Sequence, residues 1–388
     1  HLSERNHLLH DVRGVVTLGA LFHGGEQALE VGDGPANFGF VVLVALLEGV
    51  EQLVEASGVA MDRLCRACFD GVYPVELPEP ELRPHDLLVR IQAIAVNPVD
   101  TKVRRLQATQ GPRVLGWDAA GVVQAVGSAV TRFQVGDAVY YAGAIDRPGA
   151  YAELQAVDER LVGHRPATLD AAQAAALPLT AITAWELLFD RLRVPEGGGQ
   201  GQHLLVIGAG GGVGSILVQL ARQLTGMTVI GTAGRPDTVD WLTSLGAHHV
   251  IDHRQPLAPQ LAALGLPEVD AVISLTHTDL YFQQAIEVLK PQGQFALIDD
   301  PQTLDALPLK RKSISLHWEL MFTRSLFQTP DMAKQHELLE RVSALVDQGR
   351  LRTTLGQHLG PVSVPALKQA HALLESGQAR GKLVLDGF

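Results

Sequence analysis

The sequence predicts an α/β protein in which a β-rich domain is followed by a doubly wound, dinucleotide-binding domain and a returning tail. Two observations carry this prediction. A glycine-rich turn at residues 208–214 separates a buried strand from an amphipathic helix, and strands then alternate with helices to about residue 322. Before that turn, short strands between glycine and proline turns run from residue 87 to about residue 143, which is typical of a barrel-like domain.

The glycine turn has the spacing of a pyrophosphate-binding loop. Leu204–Ile207 reads as a buried strand, and apolar residues recur at helical spacing over 215–224. Gly208 permits a tight turn, Gly211 lets the backbone approach a pyrophosphate, and Gly214 lets the helix and strand pack closely. The helix N-terminus adds free N–H groups and a partial positive charge. A flexible linker is the alternative interpretation, but linkers are not flanked by such apolar elements.

Composition excludes several classes of protein. The chain of 388 residues is 46% hydrophobic and 19% charged, which is ordinary for a globular protein and long enough for two domains. Its net charge of −11 argues against a nucleic-acid partner. The longest apolar run, residues 38–47, is shorter than the roughly 20 residues that span a bilayer, and no secretory signal is recognised. We therefore expect a cytoplasmic protein that binds neither nucleic acid nor membrane.

The two cysteines, Cys65 and Cys68, imply no disulfide framework, which fits a reducing cytoplasm. Their C-x-x-C spacing would also suit half of a zinc site or a redox pair. A second cysteine pair is absent from the sequence and no histidine pattern follows, so coincidence is the favoured interpretation.

Residues 1–71 differ from the rest of the chain. They are rich in Gly, Val, Glu and Leu, they begin with His1 rather than methionine, and they show no clear alternation of elements. One helix is predicted around Val41–Ala56, where apolar residues share a face. We hypothesise that this segment is a fusion or an out-of-frame extension of the reading frame.

The end of the second predicted strand of the dinucleotide-binding domain indicates the cofactor. In this fold an acidic residue at that point binds the adenosine ribose and selects NAD. Here the strand ends in Gly234 and Arg235, with no acid before Asp237. Arginine suits a 2′-phosphate, and His253 with its neighbour Arg254 follows the third strand and adds to the same anion pocket. The sequence favours NADPH; a solvated arginine at a helix start is the alternative.

Six segments together resemble the medium-chain dehydrogenase/reductase superfamily, in its quinone-oxidoreductase branch and its zinc-type alcohol dehydrogenase-like subgroup. They are NPVDTKVR, GWDAAG, YYAG, LPLTAITAWE, GAGGGVGS and HWELMFTRS. The resemblance covers about residues 73–388. It implies a GroES-like β-rich catalytic domain with an inserted Rossmann dinucleotide-binding domain, an active site in the cleft between them, and a homodimer.

This resemblance divides the chain into an atypical extension, two parts of the GroES-like domain and the Rossmann domain. The predicted boundaries are 1–71 for the extension, 72–194 and 323–388 for the GroES-like domain, and 195–322 for the Rossmann domain. The family's opening strand is missing ahead of VELPEPELRP, so we expect a sheet of the GroES-like domain to lack a strand.

Zinc members of the superfamily place ligands where this chain has Asn97-Pro98 and Gly116-Trp117-Asp118, and they carry a four-cysteine lobe. No cysteine follows Cys68 in the sequence. Catalytic zinc needs about three protein ligands, which Asp118 alone does not supply. We therefore expect no metal site in this protein, whatever the subgroup's name.

By the same resemblance, Asn97 lies beside the nicotinamide and the substrate, and Thr183 faces the nicotinamide. The loop Gly211–Gly214, which includes Gly212 and Val213, holds the pyrophosphate, and Leu275 and Thr276 run past the nicotinamide ribose. Some quinone reductases have a tyrosine at the position of Lys102. Lys102 is therefore a candidate for polarising the substrate carbonyl, with a solvated surface lysine as the alternative.

Tyr141 is a candidate for proton donation to an enolate, although a core or domain-wall tyrosine is the favoured interpretation. Asp100 is expected to be a structural loop carboxylate. Trp117, Trp318 and Phe322 are expected to form apolar pocket walls, and Arg324 either reaches the cleft or forms a salt bridge.

These observations predict an NADPH-dependent, metal-independent reductase that transfers a hydride to quinones or α,β-unsaturated carbonyls. A conjugated acceptor spreads the developing charge, so hydride delivery to it does not need a Lewis acid as a simple alcohol oxidation does. A non-catalytic NADPH-binding protein, as a redox sensor or a crystallin-like protein, is the main alternative. A zinc alcohol dehydrogenase is a third hypothesis, which the missing ligands disfavour.

Overall fold

The computed structural model describes residues 39–44, 71–106 and 112–388. In chain order the strands are β1 (Gly39–Val44), β2 (Val72–Leu77), β3 (Asp86–Val96), β4 (Arg113–Val114), β5 (Ala119–Val126), β6 (Ala138–Tyr141), β7 (Leu154–Asp158), β8 (Val162–His164), β9 (His203–Ile207), β10 (Thr228–Thr232), β11 (His249–Ile251), β12 (Val269–Ser274), β13 (Leu289–Leu297), β14 (Ser315–Trp318), β15 (Leu355–His358) and β16 (Lys382–Asp386). The α-helices are α1 (Pro98–Leu106), α2 (Ala171–Ala175), α3 (Pro178–Trp185), α4 (Gly212–Leu224), α5 (Pro236–Ser244), α6 (Leu257–Ala263), α7 (Thr278–Val288), α8 (Thr323–Leu326), α9 (Lys334–Asp347) and α10 (Val364–Glu375).

The β-rich domain is built around the long strand β3. Seven strands form its sheet, in the order β15-β16-β3-β5-β6-β8, and β7 pairs with the first half of β3. The second half of β3 pairs with β16, the last strand of the chain. The tail therefore returns to the first domain and completes its sheet.

A small sheet in the order β2-β1-β4 brings in residues ahead of Tyr73. β1 pairs antiparallel with the whole of β2, from Gly39 opposite Leu77 to Val44 opposite Val72. The helix predicted over 41–56 is therefore wrong over 41–44, because a continuous apolar run suits a strand as well as a helix face. The remainder of that predicted helix, and Cys65 and Cys68, lie outside the described residues. The expected loss of a strand here is also corrected, since β1 supplies one.

The second sheet is doubly wound and parallel. Its strand order is β11-β10-β9-β12-β13-β14, with the first strand, β9, at the centre. Helices follow the strands on both faces, which confirms the predicted Rossmann arrangement. Alternate residues of β9 point to opposite faces: Leu204 and Val206 belong to one core cluster, and Leu205 and Ile207 to the other.

The larger core cluster is continuous between the two domains. It joins the apolar face of α4 to residues of α3 and to the sheet around β3. The stretch Ala171–Arg191, which includes α2 and α3, is long and apolar enough to cross a membrane, but 78% of its most apolar window is buried inside the protein. It is therefore explained as a core helix that connects the two domains.

The end of the returning tail touches the glycine turn directly. The Gly381 N–H donates to the Gly210 carbonyl at 3.0 Å, and Gly381 forms an isolated parallel bridge with Gly211. The start of β16 is thereby placed where β9 runs into α4. Since parallel strands direct the following loops to one edge of a sheet, this junction is the natural site for a ligand.

Candidate active site

The glycine turn adopts a geometry that other residues would disturb. Gly208 has φ of +80°, which favours glycine, and the turn then leads into α4 at Gly212. A Cβ at Gly214 would lie 2.3 Å from the Ala209 carbonyl oxygen, so helix and strand pack too closely for a side chain there. A Cβ at Gly211 would approach no atom nearer than 3.6 Å, which leaves open space beside the helix N-terminus. This space has the N–H donors and the dipole that an anion needs.

The loop after β12 packs against the same turn. The Leu275 N–H donates to the Ile207 carbonyl at 3.1 Å. A Cβ at Gly208 would lie 2.9 Å from the Thr276 Cγ2 and 3.4 Å from the Leu275 Cβ. The structure therefore brings Leu275 and Thr276 to the edge of the glycine turn.

His253 and Arg254 border Gly234, just after the end of β10, and Arg235 is the next residue in the chain. A Cβ at Gly234 would lie 3.1 Å from the His253 Nε2 and 3.1 Å from the Arg254 Nε, so both side chains border that residue. Arg235 precedes α5 and its Nη2 donates to the Gln378 carbonyl at 3.1 Å. Burial lowers the pKa of His253.

Two further contacts define the charge at this end of β10. Arg254 is held by the carboxylate of Asp252 through three hydrogen bonds of 2.8–3.1 Å. Asp237 is exposed in the first turn of α5, and its carboxylate faces Arg235 and Arg380 at 3.7 and 3.5 Å. Arg235 is therefore less tightly paired with a carboxylate than Arg254 is, and Arg380 is a neighbour that the sequence analysis did not indicate.

Asn97 belongs to a buried network with Asp118 and Lys382. The Asn97 Nδ2 donates to the Asp118 Oδ2 at 2.9 Å and to the Trp117 carbonyl at 3.2 Å. The Lys382 Nζ donates to the Asp118 Oδ2 at 2.9 Å and to the Asn97 Oδ1 at 2.5 Å. All three side chains are at most 3% exposed.

The electrostatics of this network depend on the ion pair. Burial raises the pKa of Asp118, and the Lys382 ammonium, the Leu179 N–H and the Asn97 amide act in the opposite direction. The Leu179 N–H, from the first turn of α3, donates to the Asp118 Oδ1 at 2.7 Å. Both oxygens of this carboxylate therefore accept hydrogen bonds, and its charge is matched by a cation.

Lys382 also faces the glycine turn. A Cβ at Gly212 would lie 2.8 Å from the Lys382 Cδ and 3.1 Å from the Thr180 Cγ2. The lysine thus lies between the Asn97 network and the N-terminus of α4. Sequence reasoning missed it, although a charged residue that opens an otherwise apolar final strand, GKLVL, is a usable signal.

Thr183 is buried on α3, one helical turn after Leu179, and its hydroxyl donates to the Leu179 carbonyl at 2.8 Å. It is thereby on the helix that is anchored to Asp118. Trp117 is fully buried, its Nε1 donates to the Ala144 carbonyl at 3.1 Å, and its ring meets the Phe322 ring edge-on at 6.2 Å. Trp318, in contrast, is half exposed at the end of β14.

Neither of the two remaining catalytic candidates, Lys102 and Tyr141, forms a side-chain hydrogen bond with this network among the described residues. Lys102 is exposed on α1, and its Nζ is 2.7 Å from the Asp300 Oδ2, across from the loop after β13. Tyr141 is fully buried, its hydroxyl has no partner among the described residues, and burial raises its pKa. These positions favour the alternatives of a surface lysine and a core tyrosine.

Arg324 forms salt bridges rather than reaching open space. Its Nη1 is 2.5 Å from the Glu186 Oε1, and its Nη2 is 2.9 Å from Asp190 and 3.0 Å from Asp331. Glu319, beside this cluster, pairs with Arg191 at 2.6 Å. The cluster ties the end of α3 to the segment after β14.

The residues at the position of a zinc site do not fit zinc. Within 71–106 and 112–388, no group of three or more His, Cys, Asp or Glu side chains is arranged to hold a metal ion. Asp118 directs both oxygens at donors, one of which is the Lys382 ammonium, and an ammonium repels a second cation. The donor set is therefore that of an ion pair and does not fit zinc.

Two family models match the chain. The alcohol dehydrogenase GroES-like domain matches residues 83–167, and the zinc-binding dehydrogenase model matches residues 245–385. A zinc-type alcohol dehydrogenase-like protein of Staphylococcus aureus is 42% identical over 320 residues, which are 81% of this chain and 94% of that protein. The 2-methylene-furan-3-one reductase of Solanum lycopersicum is 30% identical over 316 residues, or 79% of this chain and 73% of that protein.

A solved structure agrees with these relatives. The crystal structure of a protein from Rhizobium etli CFN 42, named for a zinc-dependent alcohol dehydrogenase, matches with a TM-score of 0.82 at 51% identity, and the match covers 90% of this chain and 98% of the other. Fold, family models and relatives therefore agree that the chain is an oxidoreductase that belongs to the medium-chain dehydrogenase/reductase superfamily.

Proposed function

We propose that this protein is an NADPH-dependent, metal-independent reductase that transfers a hydride to quinones or α,β-unsaturated carbonyls. The buried ion pair of Lys382 with Asp118, set between Asn97 and the glycine turn, is the observation that carries the proposal. It supports cofactor chemistry at this junction, and it places a cation where zinc relatives need metal ligands.

The glycine turn is proposed to bind the pyrophosphate of NADPH, and the end of β10 to bind its 2′-phosphate. The open space at Gly211 suits the pyrophosphate, next to Gly212, Val213 and Gly214 at the start of α4. Arg235 and His253 suit the 2′-phosphate, since a planar guanidinium forms charge-assisted hydrogen bonds with phosphate oxygens. No acidic side chain precedes Asp237 at this point of the sequence, which disfavours NADH.

When bound, a nicotinamide cofactor would supply the hydride, and the side chains of this protein would orient it. Asn97 is proposed to contact the carboxamide and the substrate, because its amide is fixed by Asp118, Lys382 and the Trp117 carbonyl. Thr183 is proposed to face the ring from α3, and Leu275 and Thr276 to border the ribose. Rigid placement of this kind lowers the barrier by holding the reacting atoms in position.

The acceptor class is proposed from the donor set at Asp118, which is paired with the Lys382 ammonium and does not fit zinc. A conjugated carbonyl or quinone suits such a site, because charge spreads over the acceptor as the hydride arrives. The name of the tomato relative, 2-methylene-furan-3-one reductase, describes reduction of such an enone, which supports this class. The positions of Lys102 and Tyr141 favour solvent as the source of the final proton.

We also propose that the protein works as a cytoplasmic homodimer. β14 is an edge strand of the second sheet, and its exposed end continues into apolar side chains that water contacts, namely Trp318, Leu320 and Phe327. An exposed edge with large apolar residues is a surface on which a second copy could pair strand to strand. Sedimentation analysis of the protein and of Trp318→Glu tests this assembly, and an unchanged monomer in both cases contradicts it.

The proposed activity is tested by NADPH oxidation with chelator-treated protein against a panel of quinones and enones, with NADH in parallel. We expect turnover that prefers NADPH and is insensitive to the chelator. Saturable NADPH binding without oxidation by any acceptor would support a redox sensor or a crystallin-like protein instead. Loss of turnover on chelation, with recovery on zinc addition, would support a zinc alcohol dehydrogenase.

A further inference from the structure

A chain of polar side chains, of which Arg104 is partly buried and the others are buried, leads from the helix pair α1 and α10 to the backbone of Asn97. The Arg104 Nη1 is 3.0 Å from the His371 Nδ1, and the His371 Nε2 is 3.2 Å from the Tyr151 hydroxyl. The Tyr151 hydroxyl donates to the Asp100 Oδ2 at 2.7 Å, and the same oxygen accepts the Asn97 N–H at 2.8 Å.

The direction of every hydrogen bond in this chain is fixed by chemistry. A guanidinium can only donate, so the His371 Nδ1 must accept. The neutral imidazole then carries its proton on Nε2 and donates it to the Tyr151 oxygen, which leaves the Tyr151 proton for Asp100. Burial and the nearby Arg104 lower the pKa of His371 to about 3, so the imidazole stays neutral.

The last link is half of a capping box. Asn97 stands at the N-cap of α1 and Asp100 at its third position, and the Asp100 carboxylate accepts the Asn97 N–H. The reciprocal half is not made, because the Asn97 side chain bonds Asp118 and Lys382 instead. Asp100 therefore holds the backbone of Asn97, while the side-chain amide of Asn97 bonds Asp118 and Lys382 in the active site.

The ring of Tyr151 packs against Gly116, the glycine of the GWD motif. A Cβ at Gly116 would lie 2.2 Å from the Tyr151 Cδ1, and Gly116 has φ of +98°, so the missing side chain leaves room for the ring. Asp100, Tyr151 and His371 are each at most 1% exposed. The conformation of the motif and the position of the hydroxyl are thus linked.

We propose that Arg104, His371 and Tyr151 form a positioning chain that, through an ionised Asp100, holds Asn97 in place for hydride transfer and loosens when Asp100 takes up a proton. Ionised carboxylates accept stronger hydrogen bonds than neutral ones. The other oxygen, Oδ1, is buried and has no partner among the described residues, so a proton placed there finds no acceptor. Protonation therefore weakens both bonds at Oδ2.

The charges around Asp100 place this change near neutral pH. Burial raises the pKa of Asp100 to about 7. The Tyr151 hydroxyl, the Asn97 N–H and the Lys382 ammonium each act to lower the pKa, and the Asp118 carboxylate acts to raise it. Arg104 and His371 reach Asp100 through Tyr151, and His371 is uncharged in this range.

The test compares Tyr151→Phe with Tyr140→Phe as a matched control. Tyr140 is also fully buried, and its hydroxyl donates to the Leu339 carbonyl at 2.6 Å, away from Asp100. The kinetic readout, kcat/KM against pH, depends on the proposed NADPH-dependent reductase activity. We expect wild-type kcat/KM to fall on the acid side with an apparent pKa near 7.

Tyr151→Phe removes one donor to Asp100 and is expected to move that acid limb up by about one pH unit, because the ionised carboxylate loses one of its two hydrogen bonds at Oδ2. At pH 7 its kcat/KM then falls about fivefold, and above pH 9 it approaches the wild-type value. Tyr140→Phe is expected to leave the limb in place. Asp100→Asn is expected to lower kcat/KM and to abolish the limb. An unmoved limb in Tyr151→Phe, or an equal shift in Tyr140→Phe, overturns the proposal.

A second readout separates this proposal from the proposed activity. If none of the acceptors supports NADPH oxidation by the wild type, the proposed activity is rejected. The pH dependence of unfolding then tests the positioning chain independently of the activity. The folded protein binds a proton at Asp100 at a higher pH than the unfolded chain does, so this group's contribution to stability falls as pH rises from about 4 to about 7. Tyr151→Phe is expected to extend that fall upward by about one unit. Coincident profiles for the two proteins overturn the positioning chain.

Discussion

The Nζ of Lys382 lies 2.9 Å from the Oδ2 of Asp118, and both side chains are almost completely buried. These residues are 264 positions apart, so the pair joins the last strand to the loop that precedes β5. A buried ion pair contributes little net stability by itself, but loss of one partner leaves an uncompensated charge. The pair is thus the point at which the returning tail, the Asn97 loop and α3 are held together.

Lys382→Met is expected to lower the free energy of unfolding by about 3–5 kcal/mol, because Asp118 would remain buried without its cation. Urea denaturation measures this loss. Lys290→Met is the control, since Lys290 pairs with Asp270 at 2.9 Å on a partly exposed surface, and it should cost no more than about 1 kcal/mol. Similar losses in the two variants would show that the buried pair has no special role.

The glycine turn allows two substitutions with opposite expectations. Gly211→Ala adds a Cβ that meets no atom nearer than 3.6 Å, so stability is expected to be unchanged while NADPH binding weakens at the pyrophosphate. Gly214→Ala places a Cβ 2.3 Å from the Ala209 carbonyl oxygen and is expected to lower the melting temperature. Calorimetry with and without NADPH measures both effects. Normal NADPH affinity in Gly211→Ala would contradict the assigned loop.

Arg235→Ala is expected to weaken NADPH binding about 10- to 150-fold and to spare NADH, because a charge-assisted hydrogen bond to phosphate is worth roughly 1.5–3 kcal/mol. The ratio of the two dissociation constants, from fluorescence titration, is the relevant quantity. Arg341→Ala serves as the control, since Arg341 is exposed and pairs with Glu196. Equal losses for the two cofactors would discard the 2′-phosphate assignment.

The buried pair Glu186 and Glu319 predicts a pH effect on stability. Burial raises the pKa of Glu319, and the neighbouring Glu186 raises it further. The folded protein then keeps a proton on Glu319 at pH values where the unfolded chain has lost it, so this group's contribution to stability falls as pH rises above the usual range of a glutamate. Glu319→Gln has no such proton to lose.

Chemical denaturation between pH 6 and pH 10 measures this effect. Relative to the wild type, Glu319→Gln is expected to gain stability steadily with pH. A constant difference between the two proteins across that range would mean that Glu319 is ionised in the folded state throughout.

Local patterns predicted the parts of the structure that depend on neighbours in sequence. The strand, glycine turn and helix around 204–224 and the alternation that follows were predicted correctly, because hydrophobic period and turn chemistry act within a few residues. The run at 39–44 was misassigned for the same reason, since an apolar stretch fits either period.

The candidate site depends on contacts that no local pattern records. Asn97 was identified, but its partners Asp118 and Lys382 meet only because β16 returns to β3. Whether Arg324 reaches the cleft or forms salt bridges was left open at the sequence level, because its partner Glu186 lies far away in the chain. Such pairings can be recognised only once the topology is known, because the last strand, β16, returns to pair with β3.

The most direct test of the account is a single-turnover reaction with NADPH that carries deuterium at the transferable C4 position, a simple enone, and chelator-treated protein. We expect one deuterium at the β-carbon of the saturated product as NADPH is oxidised, with the α-hydrogen taken from solvent. Bound NADPH that stays reduced, with no deuterium in the enone, would contradict the reductase and leave a protein that only binds the cofactor.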